Sequence, residues 1–269
     1  MSVSRLGVLG WPVAHSLSPA MHNAALGEMG LGDWEFQLLP VPPELFEETT
    51  RALPAAGFVG ASVTVPHKEQ ALAVADAAGE AASGIGAANT LIFGGDTITA
   101  ENTDAPGFLE ALPERPAPGS SAMVLGAGGS ARAAAWALQG AGAQVRVWNR
   151  TALRARDLAA DLGVEAVDEP EGADILVNCT VAGMDGDPFE LLPFLRGRLG
   201  DYGTVVDFVY SDPDATFLEA AREAGCRTVD GLEILVRQGA LALEMWTGRE
   251  APVGVMGEAA RAAAAAHGR

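Results

Sequence analysis

Short runs of apolar and β-branched residues at 5–9, 35–41, 61–65 and 90–93 are separated by stretches of helical period such as 19–29 and 42–55. That rhythm predicts layered α/β structure, because strands interleaved with helical crossovers pack a sheet against helices. Beyond Pro106-Gly107 a helical patch ends near Leu112, and Pro113, Pro116, Pro118 and Gly119 then break the pattern as a linker does. A second strand series follows at 121–125, 144–148, 175–178 and 204–208, with alanine-rich helical segments between the runs. It predicts a parallel, doubly wound sheet. From Gly231 the chain reads as helix through Trp246, and a last helix over 255–266 is built mostly of alanine, in keeping with that residue's helix propensity.

A length of 269 residues suits one large domain or two modest ones, each with its own core. Although 49% of the residues are apolar, no stretch approaches the roughly 20 uninterrupted apolar residues of a membrane-spanning helix. The N-terminus, Met1-Ser2-Val3-Ser4-Arg5, runs into the first strand without a basic leader, which argues against secretion. Cys179 and Cys226 cannot build a disulfide framework and suit a reducing, cytoplasmic compartment. A net charge of −18 opposes nonspecific binding to nucleic acid or anionic lipid. Among the 17 cationic side chains only Lys68 is a lysine. A genome that favours arginine codons accounts for this, and so does selection for an ammonium that can exchange a proton where a guanidinium cannot. Composition leaves both accounts open.

The run Ser121-Ala122-Met123-Val124-Leu125 reads as a buried strand leading into Gly126-Ala127-Gly128-Gly129-Ser130-Ala131 at the head of a helix. Strand, G-x-G-x-x-A and helix in that order form a dinucleotide fingerprint, with the helix N-terminus offering N–H donors and partial positive charge to a pyrophosphate. The next strand ends in Asn149-Arg150-Thr151, with Arg154 shortly after, where an NAD site would carry an acid for the ribose 2′-hydroxyl. Arginines there suit a 2′-phosphate, so NADP is the expected cofactor, although two surface arginines at i and i+4 would read the same way. Thr180, at the end of a buried strand beside Cys179, is a further cofactor candidate.

Two other clusters carry candidate chemistry. Ser16 and Ser18 lie between a strand and a helix, where Ser18-Pro19 reads as an N-cap and the paired hydroxyls equally suit a small carboxylate. Thr64 and Lys68 follow a strand end, the usual ligand edge of an open α/β sheet. His22 and His67 lack metal-ligand spacing, so no metal is expected, and Trp11, Trp136 and Trp246 are assigned to core or interface.

The run Gly10-Trp11-Pro12-Val13-Ala14-His15-Ser16-Leu17-Ser18-Pro19-Ala20-Met21-His22-Asn23 resembles the signature of shikimate dehydrogenases. Further blocks agree in order: Ser62-Val63-Thr64-Val65-Pro66-His67-Lys68, Gly86-Ala87-Ala88-Asn89-Thr90, Asn102-Thr103-Asp104, and the segment 231–240 around Gln238. With the glycine loop and Asn149-Arg150-Thr151, the likeness extends over essentially the whole chain. It implies an N-terminal α/β substrate domain over 1–104, a Rossmann-like doubly wound NADP domain over 105–236, and C-terminal helices over 237–269 returning to the substrate domain. It also implies reversible reduction of 3-dehydroshikimate to shikimate with NADPH, by a monomer or homodimer. Ser16 and Ser18 would bind the carboxylate, with Thr64, Asn89, Tyr210 and Gln238 as further contacts and Lys68 with Asp104 handling the proton. On the cofactor side the resemblance implies Gly126, Ala127, Gly128, Gly129, Ser130, Ala131, Asn149, Arg150, Thr151, Arg154, Phe208 and Gly231, with Glu80 as an additional candidate. One departure stands out: the family usually carries Asn where this chain has Ser62, so a bond that orients Asn89 or Asp104 is expected to be rearranged. A quinate-preferring dehydrogenase, a non-catalytic ligand sensor and a folate-type methylene dehydrogenase are the competing assignments.

Overall fold

The elements β1 (Ser4–Gly10), α1 (Ser18–Glu28), β2 (Trp34–Pro40), α2 (Phe46–Ala52), β3 (Phe58–Val63), α3 (Lys68–Val74), β4 (Ala77–Ala78), α4 (Glu80–Ile85), β5 (Thr90–Gly94), β6 (Thr97–Glu101) and α5 (Asp104–Ala111) succeed one another in the computed structural model, which describes residues 3–184, 186–210 and 216–267. Their strands form one sheet in the order β2-β1-β3-β5-β6-β4. It is mixed: β1 runs parallel to β2 and β3, and β5 is antiparallel to both β3 and β6. The expected helix over 42–55 is broken up. Pro43 and Pro54 each open a 3-10 turn on either side of a seven-residue α2, because proline lacks the N–H that would continue an α-helical ladder.

The second series comprises β7 (Ser121–Leu125), α6 (Gly129–Gly140), β8 (Gln144–Trp148), α7 (Ala152–Leu162), β9 (Glu165–Ala166), β10 (Ala173–Asn178), α8 (Pro188–Leu191), β11 (Tyr202–Asp207), α9 (Thr216–Glu223) and β12 (Arg227–Val229). These strands make a wholly parallel sheet in the order β12-β11-β10-β7-β8-β9. The order reverses between β7 and β10, the topological switch point at which doubly wound sheets receive ligands. Helices α10 (Gly231–Thr247) and α11 (Val253–His267) end the described chain.

Two compact units result. One holds the chain through Gly107 and again from Leu235 to His267, and the other runs from Phe108 to Ile234. The chain therefore passes between them twice, within α5 and within α10. In the first unit one sheet face buries Leu9, Phe58, Ala61, Val63 and Leu91 with Phe46 and Ala71 from the helices. The alanine-rich α11 packs on α1, burying Met256, Ala260 and Ala264 at successive turns, so its small side chains serve close packing as well as helix propensity. The second unit buries Met123, Leu125, Leu176, Val205, Phe189 and Phe217. Among the described residues no helix is long and apolar enough to cross a membrane.

His22 of α1 is fully buried, stacked on Phe36 at 4.2 Å between ring centroids and tilted against Trp246. Among the described residues neither ring nitrogen has a hydrogen-bond partner. Burial without a partner disfavours the imidazolium and pushes the pKa down to about 3. The unfolded chain takes up this proton below about pH 6.5 and the folded chain only near 3, so His22's contribution is complete above 6.5 and is lost as pH falls through that window. Melting temperatures of the wild type and His22→Leu from pH 7 to pH 4 are expected to converge on the acid side, the variant showing the flatter profile. Parallel profiles would contradict the assignment.

Candidate active site

Lys68 is the first residue of α3, reached from β3 through a turn in which the His67 amide donates to the Thr64 carbonyl at 2.9 Å. Asp104 is the first residue of α5, where the helix dipole favours a carboxylate. The two meet at 2.5 Å between Nζ and Oδ2, with only 9% and 6% of the residues exposed. A buried pair of this kind must be tightly hydrogen-bonded, since removing one partner strands the other charge at a cost of about 3–5 kcal/mol.

Asn89 supplies much of that bonding. Its Nδ2 donates to Asp104 Oδ1 at 2.9 Å, to Thr103 Oγ1 at 2.9 Å and to Gln238 Oε1 at 3.0 Å. Its Oδ1 accepts the Thr103 amide at 2.7 Å. Two backbone bonds fix Asn89 in turn, one from the Val63 amide at 2.7 Å and one to the Glu101 carbonyl at 3.1 Å. Gln238 is steadied by donating to the Leu235 carbonyl at 2.8 Å. Lys68, Asn89, Asp104 and Gln238, expected from sequence to act together, are therefore one connected polar cluster in the first unit. Thr103, which the sequence offers only as part of a motif, is a full member. Its signal was its position between Asn102, whose Oδ1 accepts the Ala105 amide at 3.2 Å at the head of α5, and Asp104.

The neighbouring hydroxyls are disposed differently from expectation in one respect. Ser18 does not cap α1; it lies inside the first turn, Leu17 occupies the cap position without a side-chain bond, and Ser16 Oγ accepts the Ser18 amide at 3.3 Å. Pro19 behind it fixes the start instead. Ser18 is buried, while Ser16 and Thr64 are half-buried. Ser62 pairs across the sheet with Thr90, and among the described residues its buried Oγ has no hydrogen-bond partner. The network is served by Thr90 Oγ1, which donates to Asn89 Oδ1 at 3.3 Å and lies 3.2 Å from Thr103 Oγ1.

Helix α5 reaches α10 at Gly107, one turn beyond Asp104. A Cβ at this position would lie 2.6 Å from the Gln238 amide nitrogen and 2.8 Å from its Cα. Only glycine lets the two backbones approach this closely, and that approach brings Gln238 within reach of Asn89.

In the second unit the fingerprint adopts the geometry its sequence called for. Gly126 follows β7 with φ +113°, and a Cβ there would lie 2.9 Å from the Cys179 carbonyl oxygen. Gly128 heads the 12-residue α6 without a side-chain cap among the described residues and with open space where a Cβ would stand, which suits the close approach of an anion to a helix N-terminus. Ala127, Gly129 and Ser130 are half-buried in this turn, and Ala131 is fully buried, as close helix-to-strand packing requires. At the end of β8, Asn149 Nδ2 donates to the Thr151 carbonyl at 3.0 Å and Thr151 heads α7. Arg150 and Arg154 are exposed, and among the described residues neither is within ion-pair distance of an acid. The turn and the two guanidiniums fit a pyrophosphate and a 2′-phosphate.

Thr180 Oγ1 is engaged locally, donating to Asn178 Oδ1 at 2.7 Å and accepting the Ala182 amide at 3.1 Å. Phe208 is half-buried against Phe108 at 5.8 Å, and Gly231 begins α10. Tyr210 belongs to the second unit, unlike the other substrate candidates, and burial raises its phenol pKa. Glu80 belongs to the first unit, exposed on the first turn of α4, unlike the other cofactor candidates. Among the described residues no group of three or more His, Cys, Asp or Glu side chains could hold a metal ion.

Family models match the chain at residues 8–91, as a shikimate dehydrogenase substrate binding domain, and at residues 231–261, as a shikimate 5'-dehydrogenase C-terminal domain. The chain is 42% identical over 272 residues to a shikimate dehydrogenase (NADP(+)) of Methanopyrus kandleri, covering 94% of this chain and 93% of the relative. To the shikimate dehydrogenase (NADP(+)) of Thermus thermophilus it is 44% identical over 271 residues, 96% of this chain and 98% of the relative. A crystal structure of shikimate 5-dehydrogenase from Thermus thermophilus in complex with NADP(H) and shikimate superposes with a TM-score of 0.85 at 42% identity, covering 97% of this chain and 99% of that one.

Gly107→Ala is expected to separate Gln238 from Asn89 and to lower kcat/KM for the ring acid by about tenfold. In a Gln238→Ala background the same substitution is expected to add little. Additive losses in steady-state kinetics of the double variant would show that Gly107 does not act through Gln238.

Proposed function

The chain belongs to the shikimate dehydrogenase family, and we propose that it catalyses the reversible NADPH-dependent reduction of 3-dehydroshikimate to shikimate, with Lys68 and Asp104 handling the proton. The observation that carries the chemical part of this reading is the buried Lys68–Asp104 pair at 2.5 Å, tied through Asn89 to Gln238.

When bound, the nicotinamide supplies the hydride that reduces the carbonyl carbon. The chain's own task is to meet the negative charge that develops on the oxygen. Lys68 donates a proton from Nζ to that oxygen on reduction and removes it on oxidation, a general acid–base contribution of about 10²- to 10⁴-fold. Asp104 orients the ammonium and accepts from the substrate hydroxyl. Asn89 holds Asp104 Oδ1 in place and, with Gln238 and Thr64, lines the ring, while Ser16 and Ser18 hold the carboxylate by hydroxyl donors without adding charge. Tyr210 is a further substrate contact in this reading. The amides at the head of α6 hold the pyrophosphate, and Asn149, Arg150, Thr151 and Arg154 hold the 2′-phosphate, with Thr180, Phe208, Gly231 and Glu80 as further contacts. Among the described residues Cys179 and Cys226 form no disulfide, in keeping with a reducing, cytoplasmic setting.

A spectrophotometric assay with shikimate and NADP is expected to give turnover by the wild type. Lys68→Met is expected to lose about 10²- to 10⁴-fold in kcat while NADPH still binds. Equal activity of the two proteins would refute the role of Lys68, and a preference for quinate over shikimate would overturn the substrate assignment. Arg150→Ala is expected to raise KM for NADP about tenfold or more with KM for NAD little changed, measured under the same conditions. Equal rises for both cofactors would remove Arg150 from the 2′-phosphate site.

A further inference from the structure

Asn178 and Asp207 are the last residues of β10 and β11 and stand opposite one another in register, with Leu125 of β7 on the other side of Asn178. Three segments thus leave the sheet from one rung: the glycine turn after Leu125, the loop after Asn178 and the segment after Asp207. Both polar side chains at that rung are fully buried. Buried polar groups in such a place are costly unless they are used, so their partners identify what they do.

Asp207 Oδ1 accepts from Asn178 Nδ2 at 2.9 Å and from the Val209 amide at 3.0 Å. Asn178 then spends its remaining capacity on the loop that follows it. Its Oδ1 accepts the Thr180 amide at 3.0 Å and the Thr180 hydroxyl at 2.7 Å, and its Nδ2 reaches the Ala182 carbonyl at 3.3 Å. The backbone repeats the link, since the Phe208 amide donates to the Asn178 carbonyl at 2.9 Å and the Cys179 amide to the Leu125 carbonyl at 2.8 Å. The Cys179 carbonyl is in turn the surface against which Gly126 turns. One carboxylate oxygen therefore clamps the two segments that carry Thr180 and Phe208, and the first of them forms a wall of the glycine turn. Among the described residues Asp207 Oδ2 has no hydrogen-bond partner, and burial pushes the carboxyl pKa up to about 7. The site tolerates this unfavourable burial, as expected if the carboxyl is retained for its place rather than for stability.

Building on the NADPH-dependent reading above, we propose that Asp207 is a positioning residue for the cofactor: acting through Asn178 and the Val209 amide, it sets the 179–182 and 208–209 segments against the glycine turn. It does not itself touch the cofactor or the reacting atoms. Removing its Oδ1 frees the Asn178 amide and the Val209 N–H together, which loosens the nucleotide side of the site and leaves the Lys68 cluster as it was.

The test is a fluorescence titration of NADPH into the wild type, Asp207→Ala and Asp207→Asn, with melting curves and steady-state kinetics on the same preparations. Asp207→Ala is expected to weaken NADPH binding about tenfold or more while KM for shikimate stays within about twofold. Asp207→Asn keeps an oxygen at the Oδ1 position and is expected to bind NADPH within about twofold of the wild type. Wild-type affinity in Asp207→Ala, or equal losses for NADPH and shikimate in step with a lowered melting temperature, would overturn the proposal. If Asp207→Ala does not fold, Asp207→Asn decides, a tenfold loss of NADPH affinity in that folded variant overturning it. A wild type that binds NADPH but leaves shikimate unchanged would instead sink the substrate assignment, and the Asp207 result would stand apart from it.

Discussion

A charged amine and a carboxylate taken almost wholly out of water are the constraint around which the first unit is arranged. Neither Lys68 nor Asp104 could be buried alone, and together they still leave a carboxylate oxygen and further N–H groups to satisfy. Asn89 answers the carboxylate, Thr103 and Gln238 answer Asn89, and the backbone bonds of Val63 and Glu101 hold Asn89 where it must be. The β5–β6 hairpin brings Asn89 at one end and Glu101 at the other to the same edge, so that Asp104 emerges beside Lys68.

The second unit solves a different problem with a simpler device. A parallel sheet ends all its strands on one edge, and the reversal between β7 and β10 opens that edge to a ligand. Backbone amides and two exposed guanidiniums supply local positive character in a chain whose net charge is −18. An anion held here would depend on directed donors rather than on the field of the whole protein.

Much of this was legible because the relevant signals are local. The passage from Leu125 through Gly126 to Ala131 carries strand, turn and helix within a dozen residues, and α/β alternation announced both sheets. The hairpin strand Thr97–Glu101 was not read, since its run is short and polar on alternate positions and its partner is set by a glycine turn. The short edge strands β4, β9 and β12 were missed for the same reason: two or three residues carry no period. Ser18 looked like a cap because the residue type and the following proline suited one, whereas the helix begins at Ser18 itself. Roles that depend on distant partners left no local mark. Gly107 matters through Gln238, and Asp207 through Asn178; neither pairing has a spacing to recognise.

The bond between Asn89 and Gln238 joins positions 149 residues apart, and the helix that carries Gln238 belongs to the unit whose sheet was finished before Asn102. During synthesis the amine, the carboxylate and Asn89 thus leave the ribosome early, and the group that completes their cluster emerges after the entire second sheet. The first unit cannot close its polar centre until almost the whole chain exists. A nascent chain halted after β12 would hold both sheets complete while Asn89 still lacked the Gln238 acceptor.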